Sequence, residues 1–313
     1  LRTMFGGEET GTFLGVEACV VSELRQGDAD VVVIGAPCAT PYVSVGPYCK
    51  AAPEAIRRAS STYSSHRQHW NFDLGGVAIP TGSIVLDGGD VSWDEHDAAG
   101  NRERITAVCR QILAIGAVPI VLGGDDSIPI PVVASYPADA GPLTIVQVDA
   151  HIDWRDEVQG ERLGLSSTMR RCSEMAHVGT MIQVGQRGVG SARAQDVQAA
   201  NARGVHFLSG HDVHRHGVAA VAELIPAGSD VFVTIDVDGL DPAIVPGVIG
   251  PEPGGLSYFQ AIDIIDMAAG NGRLAGFDVV ELVPERDVNG LGALTAFRLA
   301  AHAIGRVLQS TPR

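Results

Sequence analysis

Short apolar runs rich in β-branched residues recur along this sequence, and each run ends in a turn rich in glycine, aspartate or proline. The runs occupy residues 31–34, 118–122, 143–148, 181–184, 231–235 and 276–280. Segments with the helical spacing of apolar residues lie between or after them, at residues 102–115, 192–202, 259–269 and 293–308. Runs that are apolar on both faces fit parallel strands covered by helices on both sides. The pattern predicts an α/β fold with three α/β/α layers, a central and mostly parallel sheet, and a single domain over residues 1–313.

Composition limits the partners that such a domain could bind. The formal net charge is −15, which opposes binding to nucleic acid or to an anionic membrane surface. We identify no run of the roughly 18 apolar residues that a transmembrane helix needs, and no long apolar core follows residues 1–4 as it would in a signal peptide. Five scattered cysteines without a CxxC pair indicate reduced thiols. We therefore expect a cytoplasmic protein that binds neither nucleic acid nor membrane.

Acidic side chains follow three of the apolar runs, at the point where each strand should end. Together with one histidine they are Asp125, Asp126, Asp149, His151, Asp153, Asp236 and Asp238. A single aspartate after a strand is usually a turn former or a helix cap. The carboxyl ends of parallel strands meet at one sheet edge, however, so these carboxylates would repel one another there. A pair of divalent metal ions is the simplest way to hold them, and oxygen-rich ligands with one imidazole favour Mn²⁺, with Ni²⁺ as an alternative.

Three short stretches of sequence that contain these residues resemble the metal motifs of the ureohydrolases, the family of arginases and agmatinases. They are GGDDS at 123–127, DAHID at 149–153 and DVDGLDP at 236–242. The strings PGGL at 253–256 and GFDVVELVP at 276–284 also match, so the resemblance covers nearly all of the chain from about residue 31 to the C-terminal helix. The resemblance implies an arginase-like fold, and the chain looks closer to agmatinase-like bacterial members than to arginases.

The resemblance also implies a role for each matching position. Asp149 and Asp236 would bridge two metal ions, Asp153 would complete the first ion, and His151 with Asp238 would complete the second. A metal-bridging hydroxide would attack the guanidino carbon of a small guanidino compound, agmatine or a guanidino acid such as guanidinobutyrate, and release urea and an amine. Glu281 would receive the substrate guanidinium. We assign catalytic roles to Asp149, His151, Asp236 and Glu281, and the family's assemblies imply a homo-oligomer, a trimer or hexamer.

Two positions depart from the family pattern. Asp126 stands where ureohydrolases have a histidine that binds the first metal, and we expect it to be the sixth metal ligand. The stretch 163–171, LGLSSTMRR, lacks the family's histidine that helps to transfer protons. His177, His211, His214 and His216 are weak substitutes, and a surface or helix-capping role is expected for each. These departures leave open the alternative of a catalytically weak or inactive subunit in a mixed oligomer.

Arg155 is the candidate residue for the tail of the substrate. It could bind the carboxylate of a guanidino acid, and it would repel the cationic tail of agmatine. It could equally pair with Asp156 or Glu157 on the surface, or neutralise part of the aspartate cluster. Tyr42 and Tyr48 flank an early loop and could line the pocket, although ordinary packing is the simpler expectation. A nucleotide-binding module is a weaker hypothesis, since neither GxGxxG nor a Walker-type lysine is present.

Overall fold

The structure of the chain is a computed structural model that describes residues 11–139, 141–190 and 192–310. Residues 1–4, which we expected not to begin a signal peptide, lie outside these ranges. The described strands are β1 (Glu17–Ala18), β2 (Val31–Ala36), β3 (Trp70–Asn71), β4 (Gly76–Val77), β5 (Val85–Asp90), β6 (Val118–Gly123), β7 (Leu143–Val148), β8 (Val178–Val184), β9 (His206–Leu208), β10 (Asp230–Asp236) and β11 (Arg273–Val280). All six predicted strands are confirmed, with ends that differ by a few residues at most.

Nine strands form the central sheet, in the order β1-β5-β2-β6-β11-β10-β7-β8-β9. Every neighbouring pair in it runs parallel. β3 and β4 form a separate antiparallel hairpin. The strands at the centre are almost entirely buried, as continuous apolar runs require. Register pairs Leu122 with Val279 and Ile235 with Val148, so that β6, β11, β10 and β7 end close together.

Helices cover both faces of the sheet. They are α1 (Ala52–Ser61), α2 (Ala98–Ala114), α3 (Pro129–Val133), α4 (Thr168–Ser173), α5 (Ala194–Arg203), α6 (Gly210–His216), α7 (Ala220–Leu224), α8 (Tyr258–Asn271) and α9 (Leu291–Ser310). One apolar core joins α1, α6, α7, α8 and α9 to the first face, and a second core joins α2, α3, α4 and α5 to the other. The predicted three-layer α/β/α architecture is therefore confirmed, whereas its extent as one domain over residues 1–313 stays a prediction.

Helix α9 is long and apolar enough to cross a membrane by length and composition, contrary to our expectation for this sequence. Within the structure, however, 78% of its most apolar window is buried. It packs against α1, α8 and β11. Its composition is that of a core helix, because neighbouring helices and the sheet cover its apolar face.

A buried ion pair fastens α1 to the sheet. Arg57 donates from Nε and Nη2 to the two carboxylate oxygens of Asp87 at 2.9 and 3.0 Å, and from Nη1 to Asp90. Asp87 also accepts the backbone N–H of Phe13 at 2.7 Å. The bidentate geometry and the low exposure of both partners make this pair specific to arginine.

We predict that Arg57→Ala lowers the free energy of unfolding by about 3–5 kcal/mol, because it leaves the Asp87 carboxylate buried without its cation. The neighbouring Arg58 is the matched control, since its side chain is 59% exposed and pairs loosely with Glu54 at 3.8 Å. Arg58→Ala should change the free energy by less than about 0.5 kcal/mol. Urea denaturation of the two variants measures both values. Equal losses would show that the buried ion pair contributes no more to the free energy of unfolding than the exposed one.

Candidate metal centre

Four neighbouring strands deliver acidic side chains to one edge of the sheet. Asp149 directly follows β7, Asp236 ends β10, Glu281 directly follows β11, and Asp126 follows the Gly-Gly turn after β6. All four side chains are buried. The turn after β6 needs glycine, because a Cβ at Gly124 would lie 2.2 Å from the carbonyl oxygen of Pro37. The sheet order thus brings together residues that are up to 155 positions apart in the chain.

The segment after β7 is held by hydrogen bonds to its own carboxylates. Asp149 Oδ1 accepts the backbone N–H of His151 at 2.5 Å. Gln147, inside β7, donates from Nε2 to Asp149 at 2.5 Å and to Asp153 at 3.0 Å. Asp153 has a positive φ of 42°, which a side-chain-bearing residue adopts only where its surroundings enforce it. The side chains of Asp149, His151 and Asp153 therefore face one site, although the backbone turns here and does not continue as a strand.

The segment after β10 packs directly on the segment after β7. Asp236 Oδ1 accepts the backbone N–H of Asp238 at 2.8 Å, and Asp238 Oδ1 accepts that of Ala150 at 3.2 Å. His151 Nδ1 lies 3.1 Å from Asp238 Oδ2 and 3.3 Å from Asp149 Oδ1. Gly239 permits this approach, because a Cβ there would come within 2.6 Å of the backbone nitrogen of Asp149.

Two groups of side chains could each hold a metal ion. Asp149, His151 and Asp238 form one group, and Asp126, Asp149 and Asp153 form the other, each with ligand atoms within 4.8 Å of one another. Asp149 belongs to both groups, as a residue that bridges two ions would. Asp236 belongs to neither, so its bridging role stays a prediction.

The electrostatics of the site favour a cation. Burial and the charges of neighbouring carboxylates raise the pKa of Asp126, Asp149 and Asp236 well above the usual value. Burial disfavours a charged His151, yet the hydrogen bond and charge of Asp238 raise the pKa of His151 to about 9. Burial likewise opposes the charge of Asp238, but the His151 hydrogen bond keeps the pKa of Asp238 below its usual value. A divalent cation would relieve the repulsion and take the place of the imidazolium proton.

The clearest fit for a metal lies at Asp126. Both of its carboxylate oxygens are buried, and neither has a hydrogen-bond partner among the described residues. A buried carboxylate without a donor is costly unless something else balances its charge. Asp126 lies next to Asp149 and Asp153, the residues expected to bind the first ion, and could bind the same ion.

Glu281 lies next to Asp126 and is held by two donors. The Tyr48 hydroxyl donates to its Oε1 and Oε2, at 2.7 and 2.9 Å, and the backbone N–H of Asp126 donates to Oε1 at 2.8 Å. Burial and the charge of Asp125 raise the pKa of Glu281 to about 8, despite these donors. The positive φ of 70° at Glu281 turns its side chain out of the strand direction and into the cavity. Tyr48 thus makes a specific polar contact where simple packing was the expectation.

A cavity of about 290 Å³ opens above the cluster. It is lined by Asp126, His151, Ile152, Asp153, Trp154, Arg155, Leu165, Ser166, Gly190, Asp196, Asp236, Asp238, Ile249, Gly250 and Glu281. Arg155 donates from Nη1 to Asp196 Oδ2 at 2.9 Å, so neither Asp156 nor Glu157 is its partner in this contact. Asp156 pairs instead with Arg171 at 2.9 Å.

Ser166 lines the cavity and belongs to the stretch 163–171, which lacks a histidine. Its backbone N–H donates to the Tyr42 hydroxyl at 3.3 Å, and its carbonyl accepts the backbone N–H of Arg155 at 2.9 Å. His151 is the one histidine among the described residues that line the cavity. His177 and His214 bind backbone carbonyls of other segments, which agrees with structural roles.

Two glutamines next to the cluster were missed in the sequence. Gln183 in β8 donates to Gln147 Oε1, and Gln147 then donates to Asp149 and Asp153. The two residues are direct register partners on β7 and β8. A polar residue inside an otherwise apolar run, one position before the strand ends, is the signal that could have revealed both.

Arg187, which was also missed, joins three loops around the cluster. Its guanidinium donates to backbone carbonyls alone among the described residues, those of Gly185, Asp238, Gly239, Leu240, Glu252 and Pro253, at 2.7–3.3 Å. It therefore supports the turn that carries Asp238 without touching a carboxylate. The five N–H groups of a guanidinium suit such a set of acceptors.

The likeness to known proteins agrees with this geometry. The model of the Arginase family matches residues 29–305. The human mitochondrial guanidino acid hydrolase is 29% identical, over 91% of this chain and 79% of that protein. The N(1)-aminopropylagmatine ureohydrolase of Thermus thermophilus is 30% identical, over 89% of this chain and 90% of that protein. A crystal structure of a hypothetical agmatinase from Burkholderia thailandensis superposes with a TM-score of 0.79 at 29% identity, over 96% of this chain and 91% of that one.

The expected resemblance and the arginase-like fold are thereby confirmed. The matched region contains every residue of the acidic cluster, most of both apolar cores and all the strands from β2 to β11. The chain is a member of the arginase family, and agmatinase-like ureohydrolases are among the members it resembles.

Proposed function

We propose that this protein hydrolyses a C–N bond of a small guanidino compound and releases urea and an amine. The observation that carries the proposal is the pair of potential metal-binding groups that share Asp149, at the sheet edge where four strands end. The names of the relatives, which include guanidino acid hydrolase, guanidinobutyrase and agmatinase, support the same class of substrate.

Six side chains would hold two divalent ions: Asp126, Asp149, His151, Asp153, Asp236 and Asp238. Mn²⁺ is our proposal for the metal, with Ni²⁺ as the alternative, because the ligands are carboxylates with one imidazole. Two such ions, when bound, activate water as a nucleophile near neutral pH. The unpartnered oxygens of Asp126 and the position of Asp149 in both groups support this assignment.

The remaining roles belong to side chains of the cavity. Glu281 would accept N–H groups of the guanidinium and orient its plane toward the cluster. Gln147 keeps Asp149 and Asp153 in place, and Arg187 does the same for the turn that carries Asp238. Asp149, His151 and Asp236 would contribute to catalysis by binding the two metal ions.

Arg155 would bind the substrate tail. One nitrogen of its guanidinium is paired with Asp196, and the side chain lines the cavity, so its other N–H groups could receive a carboxylate. A guanidino acid such as guanidinobutyrate is therefore the substrate that we favour over agmatine, whose cationic tail Arg155 would repel.

We also propose a cytoplasmic location and a homo-oligomer, a trimer or hexamer. All five cysteines are free, which supports a reducing compartment. Exposed aromatic side chains at Trp70 and Phe72 on the hairpin, and at Phe259 at the start of α8, support contacts between subunits.

The purified protein, incubated with Mn²⁺ or Ni²⁺, should bind two metal ions per chain and release urea from at least one guanidino compound. The panel is agmatine, 4-guanidinobutyrate, 3-guanidinopropionate, arginine and guanidine. Elemental analysis measures the metal and a colorimetric assay measures the urea. Fewer than two ions together with no urea from any compound would favour the alternative of an inactive subunit.

Asp126→Ala should weaken metal binding, since it removes one ligand of the first ion, whereas Asp126→His should keep two ions bound. The expected loss in affinity for one of the two ions in Asp126→Ala is at least about tenfold. Titration calorimetry of the metal-free proteins resolves the two sites. Equal affinities in both variants and the original protein would place Asp126 outside the metal-binding set.

Arg155→Met should lower kcat/KM for 4-guanidinobutyrate by about 10-fold or more, because a charged hydrogen bond to the carboxylate is lost. The same change should leave agmatine hydrolysis equal or faster. Arg162→Met is the matched control, since Arg162 lies nearby with its side chain exposed and paired to Asp156 at 3.2 Å. Equal losses on both substrates would contradict a tail-binding role for Arg155.

A further inference from the structure

The Tyr48 hydroxyl lies across the open edge of the Glu281 carboxylate. It is 2.7 Å from Oε1 and 2.9 Å from Oε2, close to the same distance from each. A donor that is shared evenly between two carboxylate oxygens lies opposite the carboxyl carbon, between the lone pairs that point away from the side chain. A planar guanidinium uses this same edge when it makes two parallel N–H···O bonds to a carboxylate.

Little acceptor capacity remains on Glu281 when this hydrogen bond is formed. A carboxylate has about four lone-pair positions. Tyr48 uses the two on the open edge, and the backbone N–H of Asp126 uses one on Oε1 at 2.8 Å. What is left is an outer position on Oε2, which can take one N–H but cannot take a pair.

We propose that Tyr48 competes with the substrate guanidinium for the open edge of Glu281 and so sets a minimum binding energy that a substrate must supply. The inference rests on the proposed function, in which Glu281 receives the guanidinium. The tyrosine must leave this edge before a substrate can form paired hydrogen bonds there. Tyr48 is thus an internal competitor for the site, built into the chain.

The loop that carries Tyr48 can supply the required movement. Val43 is fully exposed and Val45 is half-exposed, so this part of the loop has few contacts to lose. Tyr42, at the start of the loop, is anchored on Ser166, and the next residue after Tyr48, Cys49, is buried. A rotation of the Tyr48 side chain between these two anchors opens the edge without unfolding the loop.

The competition raises the binding energy that every substrate must supply at Glu281. Every guanidinium must displace the hydroxyl, and this costs the same whatever is attached to it. A bare guanidinium ion has no second contact to offset that cost, whereas a guanidino compound that reaches Arg155 at the cavity wall does. Free guanidinium should therefore bind weakly, since it has no tail contact that offsets the cost of displacing the hydroxyl.

Titration calorimetry with guanidinium chloride at low, non-denaturing concentration tests the proposal on the Mn²⁺-loaded protein. Tyr48→Phe should bind guanidinium about tenfold more tightly than the original protein, because no hydroxyl has to be displaced. Tyr258→Phe is the matched control, because the Tyr258 hydroxyl also donates to a carboxylate, that of Asp73 at 3.1 Å, outside the cavity, and its affinity should be unchanged. Glu281→Gln should lose guanidinium binding in either background.

Unchanged, weaker or undetectable guanidinium binding in Tyr48→Phe would overturn the proposal. Urea release from the panel of guanidino compounds would show separately whether the proposed function survives that result. A second measurement does not depend on the variant folding well. Guanidinium should produce an ultraviolet tyrosine difference spectrum in the original protein as the hydroxyl leaves its carboxylate, and no such spectrum would also overturn the competition.

Discussion

The mutual repulsion of buried carboxylates dominates the architecture at one end of this protein. Asp126, Asp149, Asp236 and Glu281 approach one another where almost no solvent screens them. The rest of the fold holds them there: register fixes the ends of four strands, Gln147 and the backbone N–H groups orient the oxygens, and Arg187 fastens the surrounding turns. The folding energy of the two apolar cores stabilises an arrangement that electrostatics alone opposes.

The order of the strands explains why no two of the key segments need to be adjacent in sequence. β6 and β11 are neighbours in the sheet, although four strands, β7 to β10, lie between them in the sequence. An open parallel sheet places ligands at the carboxyl ends of its strands, and here the central position of β11 and β10 puts the site in the best-buried part of that edge. Two residues there, Asp153 and Glu281, have left-handed backbone conformations, so local strain accompanies function.

Much of the fold and of the acidic cluster could be predicted from the sequence, because apolar runs and acidic turns are local patterns. The six strands, the layers and the aspartate motifs all follow from composition over short windows. The partners of Arg155 and Tyr48 could not be predicted, since Asp196 and Glu281 lie 41 and 233 positions away. Asp196 belongs to α5, whose placement depends on packing. Gln147 and Gln183 gave a local signal, a polar residue within an apolar run, but their meaning depends on the register of β7 and β8.

Arg187 has a consequence for how this protein can vary over evolution. All of its described partners are main-chain carbonyls, which every amino acid provides. The side chain at Glu252 can therefore be exchanged without removing an acceptor, so the loop that carries it can change its sequence and keep its contact with Arg187. The guanidinium itself has no substitute among the other side chains. A single arginine would thus let a surrounding loop diverge while the turn that carries Asp238 keeps its shape.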